Sequence, residues 1–191
     1  MFADIKLLVK RVIPQNAHHF IRWCMDSDYR AASQRERFRK VTLAVYDLTG
    51  GRVLRGPFQG LQYVRSDLIC GACKLLGTYE RELSGAIERI IAKGFATVIN
   101  IGAGEGYYSV GLAMRMPGTR VVCYELQDHC QDYIRRMAEI NGVGERVEIH
   151  GYCDPSCLAE RLAAAEEPIA VICDVEGCEY ELLDPVSMPR L

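Results

Sequence analysis

Long apolar runs are absent from this 191-residue chain: no stretch approaches the ~18 consecutive apolar residues of a membrane span. Met1 to Pro14 mixes Asp4, Lys6, Lys10 and Arg11 into its apolar residues, so it lacks a signal-peptide core. Both absences lead to the expectation of a cytoplasmic protein without membrane contact. Proline (7) and glycine (17) are too few for a linker-rich or collagenous chain, and 49% hydrophobic residues are too many for disorder. Cysteine is plentiful at 9, but the count is odd and no secretion signal accompanies it, so the thiols read as small buried hydrophobes. Cys70-Gly-Ala-Cys73 has metal-site spacing with no second pair to complete it. Cys153, Cys157, Cys173 and Cys178 fall into the same buried-thiol reading, and His18, His19 and His129 stand alone, so no metal site is expected.

Net charge is also low, at −2, yet it is unevenly distributed. Residues 1–74 hold 13 Lys plus Arg against 6 Asp plus Glu, and residues 75–191 hold 10 against 19. Such an asymmetry fits two halves that face each other or a solvated basic helix, or else an arm for nucleic acid or an acidic membrane. The division expected is a basic N-terminal extension over 1–74 and an α/β domain over 75–191. In the extension, Phe2–Ile13 and His18–Arg39 have helical patterns, and Val41–Tyr46 and Arg52–Leu54 around Thr49-Gly50-Gly51 predict a hairpin. Gly56-Pro57-Phe58 and Gly60 mark an irregular loop. Glu80–Lys93 predicts a helix with Thr78 as N-cap and Gly94 as its stop.

The second half alternates short Val- and Ile-rich runs with helical patterns. Ala96–Ile101, Arg120–Tyr124, Val147–His150 and Ile169–Cys173 read as buried strands, separated by helices over Tyr107–Met116, Asp128–Ile140 and Pro155–Ala165. Repeated strand, helix, strand at this pitch implies βαβ units and a doubly wound parallel sheet. The chemistry concentrates at two strand ends. Val98-Ile99-Asn100-Ile101 runs into Gly102-Ala103-Gly104-Glu105-Gly106-Tyr107, where glycines let backbone approach a ligand and a helix N-terminus offers unpaired N–H groups. A dinucleotide fingerprint needs its third glycine at position 107, which is Tyr, and no Gly-Lys-Ser/Thr follows, so neither a dinucleotide site nor a phosphate loop fits. Glu125 closes the second strand, where an ionised carboxylate can accept two ribose hydroxyls. The fourth strand ends in Asp174-Val175-Glu176-Gly177.

The glycine turn resembles motif I of S-adenosylmethionine-dependent methyltransferases. Joined with Asp174-Val175-Glu176-Gly177-Cys178-Glu179 and the upstream Lys74-Leu75-Leu76-Gly77-Thr78-Tyr79-Glu80, it is similar to the FkbM family over about residues 75–185. That resemblance implies a class I methyltransferase (Rossmann-like) α/β fold, S-adenosylmethionine as cofactor, and O-methylation of a sugar or other small-molecule hydroxyl. It further implies cofactor contacts from Asn100, Gly102, Ala103, Gly104, Glu105, Gly106 and Tyr107 along the turn, with the glycines on the methionine side. Leu126 would join these cofactor contacts, with Glu125 at the ribose, Tyr152, Cys153 and Asp154 at the adenine, and Asp174 at the reacting centre. For an alcohol acceptor the base would be Asp174, then Glu176, then His150, while Glu179 and Glu181 read as solvated helix charges. Asn100 stands where many such enzymes have a carboxylate. The chain also ends at Leu191, before the further strands of the family, so the sheet is expected to be incomplete on its C-terminal side. The exposed Ile- and Val-rich edge would then be covered by the hairpin or by a second copy. Two alternatives accompany the small-molecule enzyme: a cofactor-binding remnant without activity, and a module methylating RNA or another acidic partner held by the basic N-terminus.

Overall fold

The computed structural model describes residues 27–65 and 71–184. Cys70, the expected helix Phe2–Ile13 and the start of His18–Arg39 lie outside the described residues. The elements in chain order are α1 (Ser27–Thr49), α2 (Gly71–Leu76), a 3₁₀ turn (Arg81–Leu83), α3 (Ser84–Lys93), β1 (Thr97–Ile101), α4 (Tyr107–Arg115) and β2 (Arg120–Tyr124). They continue with α5 (Asp128–Ile140), a 3₁₀ turn (Gly144–Arg146), β3 (Val147–His150), α6 (Pro155–Ala164), β4 (Ile169–Cys173) and α7 (Glu179–Leu182).

All four strands form where the Val- and Ile-rich runs place them, and they pair in parallel in the order β3-β2-β1-β4. Thr97 of β1 lies opposite both Arg120 of β2 and Ile169 of β4, so strand order reverses at the β1/β4 junction. Period-two alternation divides the side chains between two cores. Val98, Val121 and Cys123 face one core with Val110, Leu112, Ile134 and Met137 of α4 and α5. Ile99, Ile101, Val122 and Tyr124 face the other with Leu158, Leu162 and Leu182. Every residue of β1 is buried, as the inner strand of a sheet covered on both faces should be. β4 is an edge strand among the described elements, and most of it is only half-buried.

Upstream of the sheet two expectations are corrected. Val41–Tyr46 belongs to the 23-residue α1 and is not a hairpin strand. Its Thr42 is buried while Val45 and Tyr46 pack on the first core, a helical i, i+3, i+4 set. Thr49-Gly50-Gly51 therefore ends a helix, with the Gly51 amide donating to the Tyr46 carbonyl at 2.9 Å. The segment that follows closes on itself through one antiparallel bridge, Arg52 to Gln62, and inserts Val53, Phe58, Leu61 and Tyr63 into the α/β core. The second correction concerns the helix expected from Glu80. α3 starts at Ser84 after a 3₁₀ turn, because Glu80 has left-handed backbone (φ 41°), and Thr78 donates to the Cys73 carbonyl instead of capping. Gly94 stops α3 as expected. Among the described residues no helix is long and apolar enough to cross a membrane.

Candidate functional site

The carboxyl ends of β1, β2 and β4 converge on the glycine turn. Gly102 and Ala103 both donate their amides to the Tyr124 carbonyl, at 2.9 and 3.0 Å, which fastens the turn to the end of β2. Gly102 has φ +77°, and a Cβ there would lie 1.8 Å from the Asp174 carbonyl oxygen, so only glycine lets the turn pass the end of β4. Gly104 is different: at φ +54° a Cβ would meet nothing within 4 Å and would project into open space. Its amide donates to Glu125 Oε2 at 2.8 Å, while the Gln127 amide donates to Glu125 Oε1 at 2.9 Å. Glu125 is 9% exposed. Each of its oxygens keeps a further lone pair for a ligand.

A cleft of about 440 Å³ opens beside this turn. Asn100, Gly102, Ala103, Gly104, Glu105, Tyr107 and Asp174 line it, as do Lys74 of α2, Tyr79, Glu80, Ile87 of α3 and Tyr108. Lys74 forms a buried ion pair with Glu105 and lies 4.3 Å from the Tyr79 ring centroid and 5.6 Å from that of Tyr107. The Tyr108 hydroxyl donates to Glu80. Burial, with Cys73, Glu80 and Glu105 adding to it, pushes the Tyr107 hydroxyl up to about 12, and burial followed by the Glu80 contact raises Tyr108 further. Both phenols therefore stay protonated donors. Buried Asn100 donates to Ser109 Oγ at 2.7 Å, which fixes its amide at the floor.

The remaining expected site residues are dispersed around this cleft. Gly106 begins α4 and Glu125 stands behind the turn; neither lines the cleft. Leu126 and Tyr152 are 69% and 70% exposed beyond the ends of β2 and β3. Cys153 is buried in the second core, and Asp154 caps α6 by accepting the Cys157 amide at 2.8 Å. His150 is engaged away from the cleft by Glu148 at 2.6 Å and Arg161 at 3.0 Å, stacked on Tyr124. Asp174 is exposed at the mouth, whereas Glu176 sits at φ 55° off the cleft wall. Glu179, read from the sequence as a solvated charge, clamps that turn by accepting the Val175 and Gly177 amides, each at 2.9 Å. These backbone donors, Val175 foremost, hold its carboxyl below the usual range.

Lys74, Tyr79, Glu80 and Tyr108 are the polar cleft residues that sequence reasoning did not place in the site, and apolar Leu83, Ala86 and Ile87 line it as well. Lys74, Tyr79 and Glu80 lie within the upstream string already noted, but nothing in its spacing shows which sheet end it covers. A second cleft, of about 530 Å³, lies at the opposite ends of β2 and β3, where Arg120 pairs with Glu148 and Arg146 donates to the Met116 and Thr119 carbonyls. Among the described residues no group of three or more His, Cys, Asp or Glu could hold a metal ion.

No protein-family model matches the chain. Over 115 residues it is 30% identical to the release factor glutamine methyltransferase of Chlorobaculum tepidum, a match covering 58% of this chain and 34% of that protein. The chain thus spans about a third of that curated relative. Among solved structures it is similar to an O-methyltransferase from Bacillus cereus in complex with SAH, at 17% identity and TM-score 0.46, covering 97% of this chain and 67% of that one. It is also similar to the O-methyltransferase TomG from Streptomyces achromogenes in complex with SAM, at 18% identity and TM-score 0.41, covering 53% and 47%.

Proposed function

We propose that the chain is an S-adenosylmethionine-dependent methyltransferase of FkbM-like type that methylates a hydroxyl of a sugar or other small molecule. The observation that carries this reading is the glycine turn that lines the cleft and is tied to Glu125 behind it. The residues fit the group: Gly104 leaves open the space a side chain would fill, and Glu125 is held so that its oxygens can accept from two vicinal hydroxyls. The curated relative, a methyltransferase by name, supports the same reading. Gly102 and Gly104 would border the methionine portion, Glu125 the ribose, and exposed Leu126 and Tyr152 the two faces of the adenine. When bound, the cofactor supplies a methyl group already activated as a sulfonium.

Most of the work left to the protein is positioning, since effective molarity from held geometry accounts for much of the rate in displacements of this kind. Lys74, Glu105 and the rings of Tyr79 and Tyr107 wall the cleft, Asn100 forms its floor, and Asp174 at the mouth accepts the proton of an acceptor hydroxyl. The half-buried edge of β4 offers a pairing surface to a second copy of the chain.

The test is incubation of the full chain with methyl-radiolabelled S-adenosylmethionine and separate panels of sugars, phenols and glutamine-bearing peptides. Label in the hydroxyl panels that falls at least tenfold in Asp174→Asn is expected. Label confined to the peptides would replace the hydroxyl reading with an amide one.

A further inference from the structure

Among the described residues, four charged side chains line the cleft: Lys74, Glu80, Glu105 and Asp174. Lys74 is paired with Glu105, and among the described residues no cation pairs with Glu80 or Asp174. Asp174 is exposed to water, whereas Glu80 is partly buried and held by the Tyr108 hydroxyl. Glu80 also has left-handed backbone at φ 41°, a conformation glutamate rarely adopts, which ends any helical continuation from α3 and leaves its side chain on the cleft wall. Three phenol rings, of Tyr79, Tyr107 and Tyr108, border the same space. A partly buried carboxylate surrounded by aromatic faces favours a cation over a neutral molecule of the same shape.

We propose that Glu80, oriented by Tyr108, is the specificity-determining residue that makes this cleft prefer the sulfonium donor to the neutral thioether left after methyl transfer. The inference rests on the cofactor reading given under Proposed function. In the transfer, an acceptor oxygen lone pair forms the bond to the methyl carbon, the carbon–sulfur electron pair stays on sulfur, and the hydroxyl proton goes to the Asp174 carboxylate. The ligand thereby loses the positive charge that Glu80 favours, and the spent thioether is held less tightly than the incoming donor. At a separation of ~7 Å and an effective dielectric constant of ~40, one unit charge changes affinity about sevenfold.

Calorimetric titration of the full chain with S-adenosylmethionine and, separately, S-adenosylhomocysteine reads this directly. The wild type is expected to bind the sulfonium at least about fivefold more tightly. E80Q is expected to lose about sevenfold for the sulfonium and less than about twofold for the thioether. A second pair, E80D and E80N, guards against misfolding, because both residues tolerate left-handed backbone; Asp should keep the preference and Asn lose it. Equal losses for both ligands, or none for either, would overturn the proposal while leaving the cofactor reading standing. A wild-type chain that is folded by circular dichroism and binds neither ligand would overturn both.

Discussion

Replacing Lys74 with Met removes the only cation among the described residues that line the cleft, while keeping side-chain length and apolar contact with the Tyr79 and Tyr107 rings. The Lys74 and Glu105 side chains are 7% and 13% exposed, so little solvent screening is available to either. Removing one partner of such a pair leaves an uncompensated buried charge, a cost of about 3–5 kcal/mol. Glu105→Gln should cost less, because the ammonium keeps its two aromatic neighbours and with them about 0.5–2 kcal/mol. The double variant should cost less than the sum of the two, since it strands no charge. With a urea slope of about 2 kcal/mol/M, Lys74→Met should lower the unfolding midpoint by about 1.5–2.5 M, followed by far-ultraviolet circular dichroism. A loss below about 1 kcal/mol for Lys74→Met, or strict additivity in the double variant, would refute the reasoning that this pair joins α2 to the glycine turn.

The two glycines of the turn should respond differently to alanine. Gly102→Ala, with its methyl driven against the Asp174 carbonyl, should destabilise by about 3 kcal/mol or more in urea unfolding, whereas Gly104→Ala should show only the left-handed penalty of about 1–2 kcal/mol. Glu125→Ala strands two backbone amides and should cost about 3 kcal/mol in the same assay. Burial pushes the Glu148 carboxyl up, but the His150 contact and the charges of Arg161 and Arg120 outweigh it, so its folded pKa lies below the ordinary value. The stability Glu148 contributes is thus present above the ordinary carboxylate pKa of about 4.3 and lost as pH falls through the lower folded value. Urea midpoints of wild type and Glu148→Gln should therefore differ at pH ~7 and converge as pH falls below the lowered folded value.

The sheet was legible because buried parallel strands must be short, apolar and rich in Val and Ile, and the runs ending at Ile101, Tyr124 and Cys173 meet all three conditions, while the half-buried Val147–His150 alternates Val and Ile with Glu and His. Val41–Tyr46 met the same composition and formed helix. There the discriminating signal was spacing, since Thr42, Val45 and Tyr46 share one helical face, and the sequence before them carries the helix forward without a break. The glycine turn and Glu125 were legible for a local reason: each is placed by the strand it ends. Lys74, Glu80 and Tyr108 were not, because their convergence depends on α2 and the 3₁₀ turn docking over the ends of β1 and β4, and docking across 25 residues leaves no periodicity to read. Asp154 and Glu179 show the opposite limit. A carboxylate near a strand end can serve a ligand or cap the next turn with equal composition, and here both cap.

The central claim is that the glycine turn and Glu125 hold S-adenosylmethionine. Calorimetric titration of the cofactor into the full wild-type chain and into Gly104→Val, whose side chain would occupy the open space beside the turn, tests it most directly. Saturable binding of one molecule per wild-type chain, reduced at least about tenfold in the folded variant, is the predicted result. Absence of heat with the folded wild type, or equal affinity in Gly104→Val, would contradict it.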